Sequence, residues 1–570
     1  MGEIHLADGR QRPPWDRQRE IELTVPSYVA GVSEEPLIGQ TIGDNLDATV
    51  ASHPDELCLI SRHQGIRWTY REFARQVDEC ARGLMSLGIS RGDRVGMWSP
   101  NRAEWMVGQY ATAKMGAILV NINPAYRTSE VEYALEQSGC RMLISASVHK
   151  TSDYVAMTAA VRDRLPDLEH VLFLDSDAGD LTWGGLMAMA ADTPPEALAE
   201  VQASLQFDDP INIQYTSGTT GFPKGATLTH HNILNNGHAV TGLQGLGVGD
   251  RLCVPVPLYH CFGMVMGNLG CTSRGAAVVY PGEAFDPVAT LEAVAEEGCV
   301  ALYGVPTMFI AMLDHPSFGD YDLSSLRTGV MAGSPCPIEV MKRCVSDMHM
   351  TDVTIAYGMT ETSPVSFQTR MDDPLDKRVS TVGRVMPFVE SKIIDPETGD
   401  VVPRGEPGEL CTRGYSVMRG YWNNPEATAG AIDEAGWMHT GDMAVIDTEG
   451  YANIVGRIKD MIIRGGENVY PREIEEFLHT HPAVADVQVI GVPDERFGEE
   501  LCVWVQLRPG EELTIEGVRE FCQGRIAHYK VPRYLRITEE FPMTVTGKVQ
   551  KYKMVEISCE ELGLHTVETA

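Results

Sequence analysis

Apolar and polar positions follow two rhythms along most of the chain. Between residues 70 and 87 (YREFARQVDECARGLMSL) the apolar side chains recur at helical spacing, and a Gly-Asp turn then leads into the apolar run 94–98. This predicts a helix–turn–strand unit. Short β-rich runs follow at 117–122, 142–145, 171–174, 211–215, 252–256, 276–280, 301–303 and 353–356, most of them separated by helix-length stretches. Alternation of this kind predicts an α/β fold, with mixed or largely parallel sheets covered by helices and ligand sites at the strand ends.

The texture changes near residue 385. Segments such as DPETGDVVPRGEPGELCTRG are rich in Gly, Pro and turn residues and predict a small antiparallel β subdomain. At 457–466 (RIKDMIIRGG) charge and glycine mix, and about 100 residues remain, enough for a small α+β domain. A hinge is expected there. The expected division is an extension over 1–40, irregular and Pro-rich; a large N-terminal domain over 41–458 that includes the β subdomain; and a small mobile C-terminal domain over 459–570. No repeat of 20–50 residues stands out.

Composition narrows the function. With 46 Lys plus Arg against 79 Asp plus Glu, the formal charge is −33, which argues against nucleic acid or an anionic membrane as partner. The 13 cysteines are scattered, odd in number and without a CxxC pair, as a reducing cytoplasm would allow. The N-terminus is polar where a secretory signal would be apolar, and no stretch of about 18 apolar residues predicts a membrane span. The paired His230 and His231, and His479 with His481, lack the context of a metal site and are read as surface or capping groups.

The strongest local signal is YTSGTTGFPKG at 215–225, directly after an apolar run. Glycines let backbone N–H groups approach an anion, Thr216, Ser217, Thr219 and Thr220 add hydroxyl donors, and Lys224 adds positive charge. A solvated Ser/Thr/Gly turn has the same composition, and the order GxxxxGK[ST] of the common P-loop is absent. The whole string, however, resembles the phosphate-loop signature of the adenylate-forming superfamily, which includes acyl-CoA synthetases, adenylation domains and firefly-type luciferases. Four further motifs stand in that superfamily's order. They are Tyr357-Gly358-Met359-Thr360-Glu361, Thr440-Gly441-Asp442, Gly456-Arg457 with Lys459, and the segment PMTVTGK ending at Lys548. The wording of YTSGTTGFPKGATLTHHN and GRIKDMIIRGGENVYPREIEE looks most like medium-chain fatty acyl-CoA synthetases.

The resemblance implies a division of labour. ATP would be held by Thr216, Ser217, Gly218, Thr219, Thr220, Gly221 and Lys224, by Gly333, Ser334 and Pro335, and by Tyr357, Gly358 and Met359 near adenine. Asp442 and Arg457 would hold the ribose, Thr360 would donate to the α-phosphate, Glu361 would hold Mg²⁺, and Lys548 would reach the reacting carboxylate and α-phosphate. Lys459 would be the hinge, where many relatives carry Asp. Gly465, Gly466 and Glu467 would line the CoA channel, and His260, Gly304, Met331 and Gly333 the acyl pocket. The segments 301–313 and 329–333 contain no Lys or Arg, so an apolar acyl tail is favoured.

Physical chemistry supports the scheme, because a carboxylate attacking the α-phosphate of ATP is an anion meeting an anion. Charge neutralisation and orientation then carry the catalysis, and no enzyme nucleophile is needed. The expected activity is an ATP-dependent acyl-CoA synthetase with Mg²⁺ as cofactor, ATP and CoA as cosubstrates, and an acyl-AMP intermediate. An aryl-CoA ligase, an acyl-AMP ligase loading a carrier protein, and a non-catalytic nucleotide or acyl-lipid binder stay open. So does a homodimer.

Overall fold

The computed structural model describes residues 25–216, 223–334, 336–464, 467–494, 496–543 and 549–564. They fall into two compact units. One comprises 30–390 and 412–438, and the other comprises the described residues up to 29, 391–411 and those from 439 onward. The second unit therefore takes in 439–458, which the sequence reading assigned with the small β subdomain to the first domain.

The larger unit is built on two sheets, of nine and eight strands. In the nine-stranded sheet the strands Leu57–Ser61, Ala277–Tyr280, Arg251–Cys253, Ala301–Gly304, Thr328–Ala332 and Asp352–Gly358 pair in parallel. The eight-stranded sheet has a parallel body that ends in the antiparallel hairpin Pro210–Thr216 and Lys224–Thr229. Helices complete the α/β pattern. The amphipathic segment forms a helix over Tyr70–Ser86, buries Phe73, Val77, Cys80 and Leu84 on one face, and starts at a capping box between Thr69 and Glu72, which satisfies two otherwise unpaired N–H groups. The helix Ala103–Met115 is buried on nearly all sides, so it lacks an amphipathic period.

Two expectations need correction, and a third is decided between its alternatives of surface and capping group. The run 252–256 is a strand only over Arg251–Cys253, because Pro255 and Pro257 have no N–H to offer a ladder. The extension before residue 40 is not irregular throughout, since Tyr28–Ala30 is a strand. Farther along it, Asn235 clasps Ile38 through both its N–H and its C=O, and Glu35 meets Arg274 and His238. His230 is not a surface group but fully buried. Its Nδ1 accepts the Ile42 N–H at 3.2 Å, the first of the helix Ile42–Ser52, so it caps a helix other than its own.

In the smaller unit, the region from 462 onward is α+β. Its core includes Ile462, Ile474, Leu478, Val487 and Val503. The long antiparallel pair Val484–Asp494 and Gly498–Leu507 forms the body of the sheet, with the helices Pro471–His479 and Lys551–Leu562 accompanying it. Arg464 makes two 2.8 Å hydrogen bonds to the buried Glu500 carboxylate, a paired arrangement that keeps a buried charge tolerable.

Candidate active site

The strand Asp352–Gly358 carries Tyr357 and Gly358 to its C-terminal end, where the short turn Thr360–Thr362 begins. Glycine is required at 358, because a Cβ there would lie 1.7 Å from the Pro364 carbonyl oxygen. That close approach, with Met359 N–H donating to the same oxygen at 2.9 Å, fixes the turn and aims Glu361. The Glu361 side chain is buried. Its Oε1 accepts the hydroxyl of Thr216 at 3.1 Å and that of Tyr421 at 2.9 Å, while its main-chain oxygen accepts Met418 N–H at 2.8 Å. Burial, and then the neighbouring carboxylate, push the Tyr421 phenol above its usual range. Tyr421 thus stays a neutral donor.

The same phenol ring lies 5.1 Å from the Lys224 ammonium, within cation–π range. Thr216 and Lys224 face each other across the hairpin, so both anchors of the Gly-rich segment stand with Glu361 and Tyr421 in one cluster. Ser217, Gly218, Thr219, Thr220 and Gly221 themselves lie outside the described residues, as do Pro335, Gly465, Gly466 and Lys548.

The acyl-pocket candidates gather at the C-terminal ends of parallel strands. Gly304 pairs in register with Met331, and Met331 with Ile355. A Cβ on Gly304 would stand 2.9 Å from the Phe309 ring, so a glycine keeps that ring close. Gly333, at φ +90°, turns the chain just after the strand Thr328–Ala332, and Ser334 follows half-buried. His260 accepts the Phe262 N–H on Nδ1 at 3.2 Å, and the Phe262 ring lies 5.5 Å from that of Tyr303. These contacts bring the segment that starts at His260 toward the wall. The helix beginning at Phe262 is a π-helix through Leu269, an uncommon form often found near functional sites.

The smaller unit holds the other group. Asp442 and Arg457 are cross-strand partners, and Arg457 Nε donates to Asp442 Oδ1 at 3.1 Å. Gly441, at φ +68°, stands in the strand Met438–Ile446 just before Asp442, and its N–H donates to Glu409 Oε1 at 3.1 Å. Lys459 sits in the turn Ile458–Asp460, where burial and then the Arg457 charge lower its pKa. Glu467 is exposed at the start of the strand Glu467–Val469. Met543 and Val549, flanking the segment that carries Lys548, pair as an antiparallel bridge.

Sequence reasoning missed Tyr421 and Glu409. A Gly-Tyr-Trp run gave a weak hint of the first, but a partnership spanning sixty residues leaves no local pattern.

Residues 46–422 match the family model of the AMP-binding enzyme, and 473–548 match that of the AMP-binding enzyme C-terminal domain. The chain belongs to the AMP-binding enzyme family. YngI of Bacillus subtilis is 47% identical to this AMP-binding enzyme, covering 93% of this chain and 99% of its own. The mitochondrial medium-chain acyl-CoA ligase ACSF2 of Danio rerio is 45% identical, covering 96% and 93%. Among solved structures, ATP-bound MatB from Rhodopseudomonas palustris superposes with a TM-score of 0.82 at 27% identity, over 92% of this chain and all of that one. The superfamily resemblance and the α/β architecture with a small C-terminal part are thereby established. No helix among the described residues is long and apolar enough to cross a membrane.

Proposed function

We propose that this AMP-binding enzyme converts a medium-chain fatty acid, or a carboxylate of similar apolar character, to its CoA thioester. In the first half-reaction the substrate carboxylate attacks the α-phosphorus of ATP, the Pα–O bond to the β-phosphate breaks, and acyl-AMP and pyrophosphate form. In the second, the CoA sulfur attacks the acyl carbon, AMP leaves, and the thiol proton is lost.

The observation that carries the reading is the buried Glu361 carboxylate, held by Thr216 and Tyr421 between the two ends of the Gly-rich segment. Both hydroxyls fall on Oε1, and among the described residues no hydrogen bond falls on Oε2. A carboxylate oxygen fixed in this way suits a hard, oxygen-seeking cation, so Glu361 would hold Mg²⁺, which when bound neutralises phosphate charge. Thr216 and Tyr421 keep the carboxylate oriented and excluded from water. Lys224 adds a fixed positive charge on the phosphate side, Asp442 accepts from the ribose hydroxyls, and Arg457 steadies Asp442. Lys548 would supply charge to the carboxylate and α-phosphate in the first half-reaction only, with Lys459 as the pivot between the two steps and Gly465 to Glu467 beside the thiol path.

The apolar tail is supported by the buried wall of Tyr303, Phe309 and Met331, which carries no cation, and by the 45% identical ligase from Danio rerio, whose name specifies medium-chain acids. None of the thirteen cysteines forms a disulfide, which supports placement in the cytoplasm. The test is a panel of C4 to C16 fatty acids and benzoates, scored by CoA thioester formed together with AMP and pyrophosphate. Highest kcat/KM in the medium range is expected; a benzoate optimum, or acyl-AMP that does not pass to CoA, would overturn the assignment.

A further inference from the structure

Beside the strand segment that carries Asp442 lies a second group of chemically active side chains. Glu409 and Cys411 stand two apart on the strand Gly408–Gly414, hence on one face, and His439 stands on the neighbouring strand Met438–Ile446. We propose that Glu409, Cys411 and His439 form a Zn²⁺ site, with water as the fourth ligand.

The residue types are those that select zinc, a thiolate and an imidazole with one carboxylate oxygen. Their spacing also fits. Cys411 Sγ lies 3.6 Å from His439 Nδ1, which lies 3.0 Å from Glu409 Oε2, and the three ligand atoms are all within 4.8 Å of one another. Ligands about 2.0 to 2.3 Å from a tetrahedral zinc stand roughly 3.3 to 3.6 Å apart, so the ion could enter with small side-chain adjustments. Burial suits a three-ligand site with one open position: Cys411 is fully buried, whereas the His439 side chain is 33% exposed and leaves a side for water. Glu409 already has an outer partner, since its Oε1 accepts the Gly441 N–H while Oε2 turns toward the site. Such outer hydrogen bonds orient ligands. On binding, the Cys411 thiol gives up its proton to solvent, and the imidazole is neutral with its proton on Nε2.

The test uses the full chain freed of metal and titrated with Co²⁺ as a spectroscopic probe, then with Zn²⁺ in competition. One equivalent of Co²⁺ should give a thiolate-to-metal absorption in the near ultraviolet with tetrahedral bands in the visible, displaced by Zn²⁺. Cys411→Ser should remove the thiolate band, and Cys559→Ser, a partly exposed thiol elsewhere, should keep it. His439→Gln, an accessible position expected to fold as judged by circular dichroism, should weaken binding by more than about tenfold. Absence of the thiolate band in the wild type, its persistence in Cys411→Ser, or unaltered affinity in folded His439→Gln would overturn the proposal. These readouts involve no catalysis, so their failure is distinct from failure of the ligase assignment.

Discussion

The Tyr421 hydroxyl donates to Glu361 Oε1 at 2.9 Å from sixty positions along the chain, joining the strand pair after the Gly-rich segment to the turn after Tyr357. A hydrogen bond to a charged acceptor contributes about 1.5–3 kcal/mol. We therefore predict that Tyr421→Phe lowers the rate of pyrophosphate release roughly 10- to 100-fold with the fold intact. Glu361→Gln should fall at least as far and flatten the Mg²⁺ titration, since an amide binds a hard cation poorly. Wild-type rates and Mg²⁺ dependence in both would remove this pair from the site.

Lys548 and Lys459 should separate the half-reactions. Lys548→Ala is expected to cut acyl-AMP formation by about 10²–10³, the usual cost of losing one electrostatic stabiliser, while supplied acyl-AMP still reacts with CoA. Lys459→Pro fixes φ and deletes an N–H, so a pivot that changes its backbone angles between steps would be held in one state. That variant should keep acyl-AMP formation and lose thioester formation. Rapid quench with separate detection of the two products measures both; equal loss of both in Lys459→Pro would exclude a pivot at 459.

Buried His230 makes a pH prediction. Desolvation lowers its pKa from 6.5 to about 4, against weaker opposing effects of Asp209 and Asp44. Between those values the unfolded chain binds the extra proton, so stability falls as pH drops from about 6.5 toward 4, by up to an order of 3 kcal/mol for this group, and is fully present above 6.5. His230→Gln can still accept the Ile42 N–H and does not titrate. Its melting temperature should drop less than that of the wild type between pH 7 and pH 5, and parallel drops would contradict the assignment.

Much of the fold was legible because the strands and the helix Tyr70–Ser86 follow simple periods. The site motifs were legible because each is a contiguous string; at Tyr357–Glu361 a backbone turn demands it, with Gly358 packed beneath the Pro364 carbonyl. What the chain did not reveal depends on distant packing. That His230 is a capping group rather than a surface one shows only once Ile42, 188 residues away, is placed against it. Glu409 gains meaning only from Gly441 on the next strand.

The most direct test of the central claim follows one oxygen atom. The enzyme is given octanoate labelled with ¹⁸O in its carboxylate, with ATP, Mg²⁺ and CoA, and the products are read by mass spectrometry. If the carboxylate attacks the α-phosphorus and the CoA thiol then displaces AMP, one ¹⁸O per turnover appears in AMP and none in pyrophosphate. Label in inorganic phosphate with ADP as co-product, or unlabelled AMP alongside octanoyl-CoA, would contradict the acyl-adenylate route.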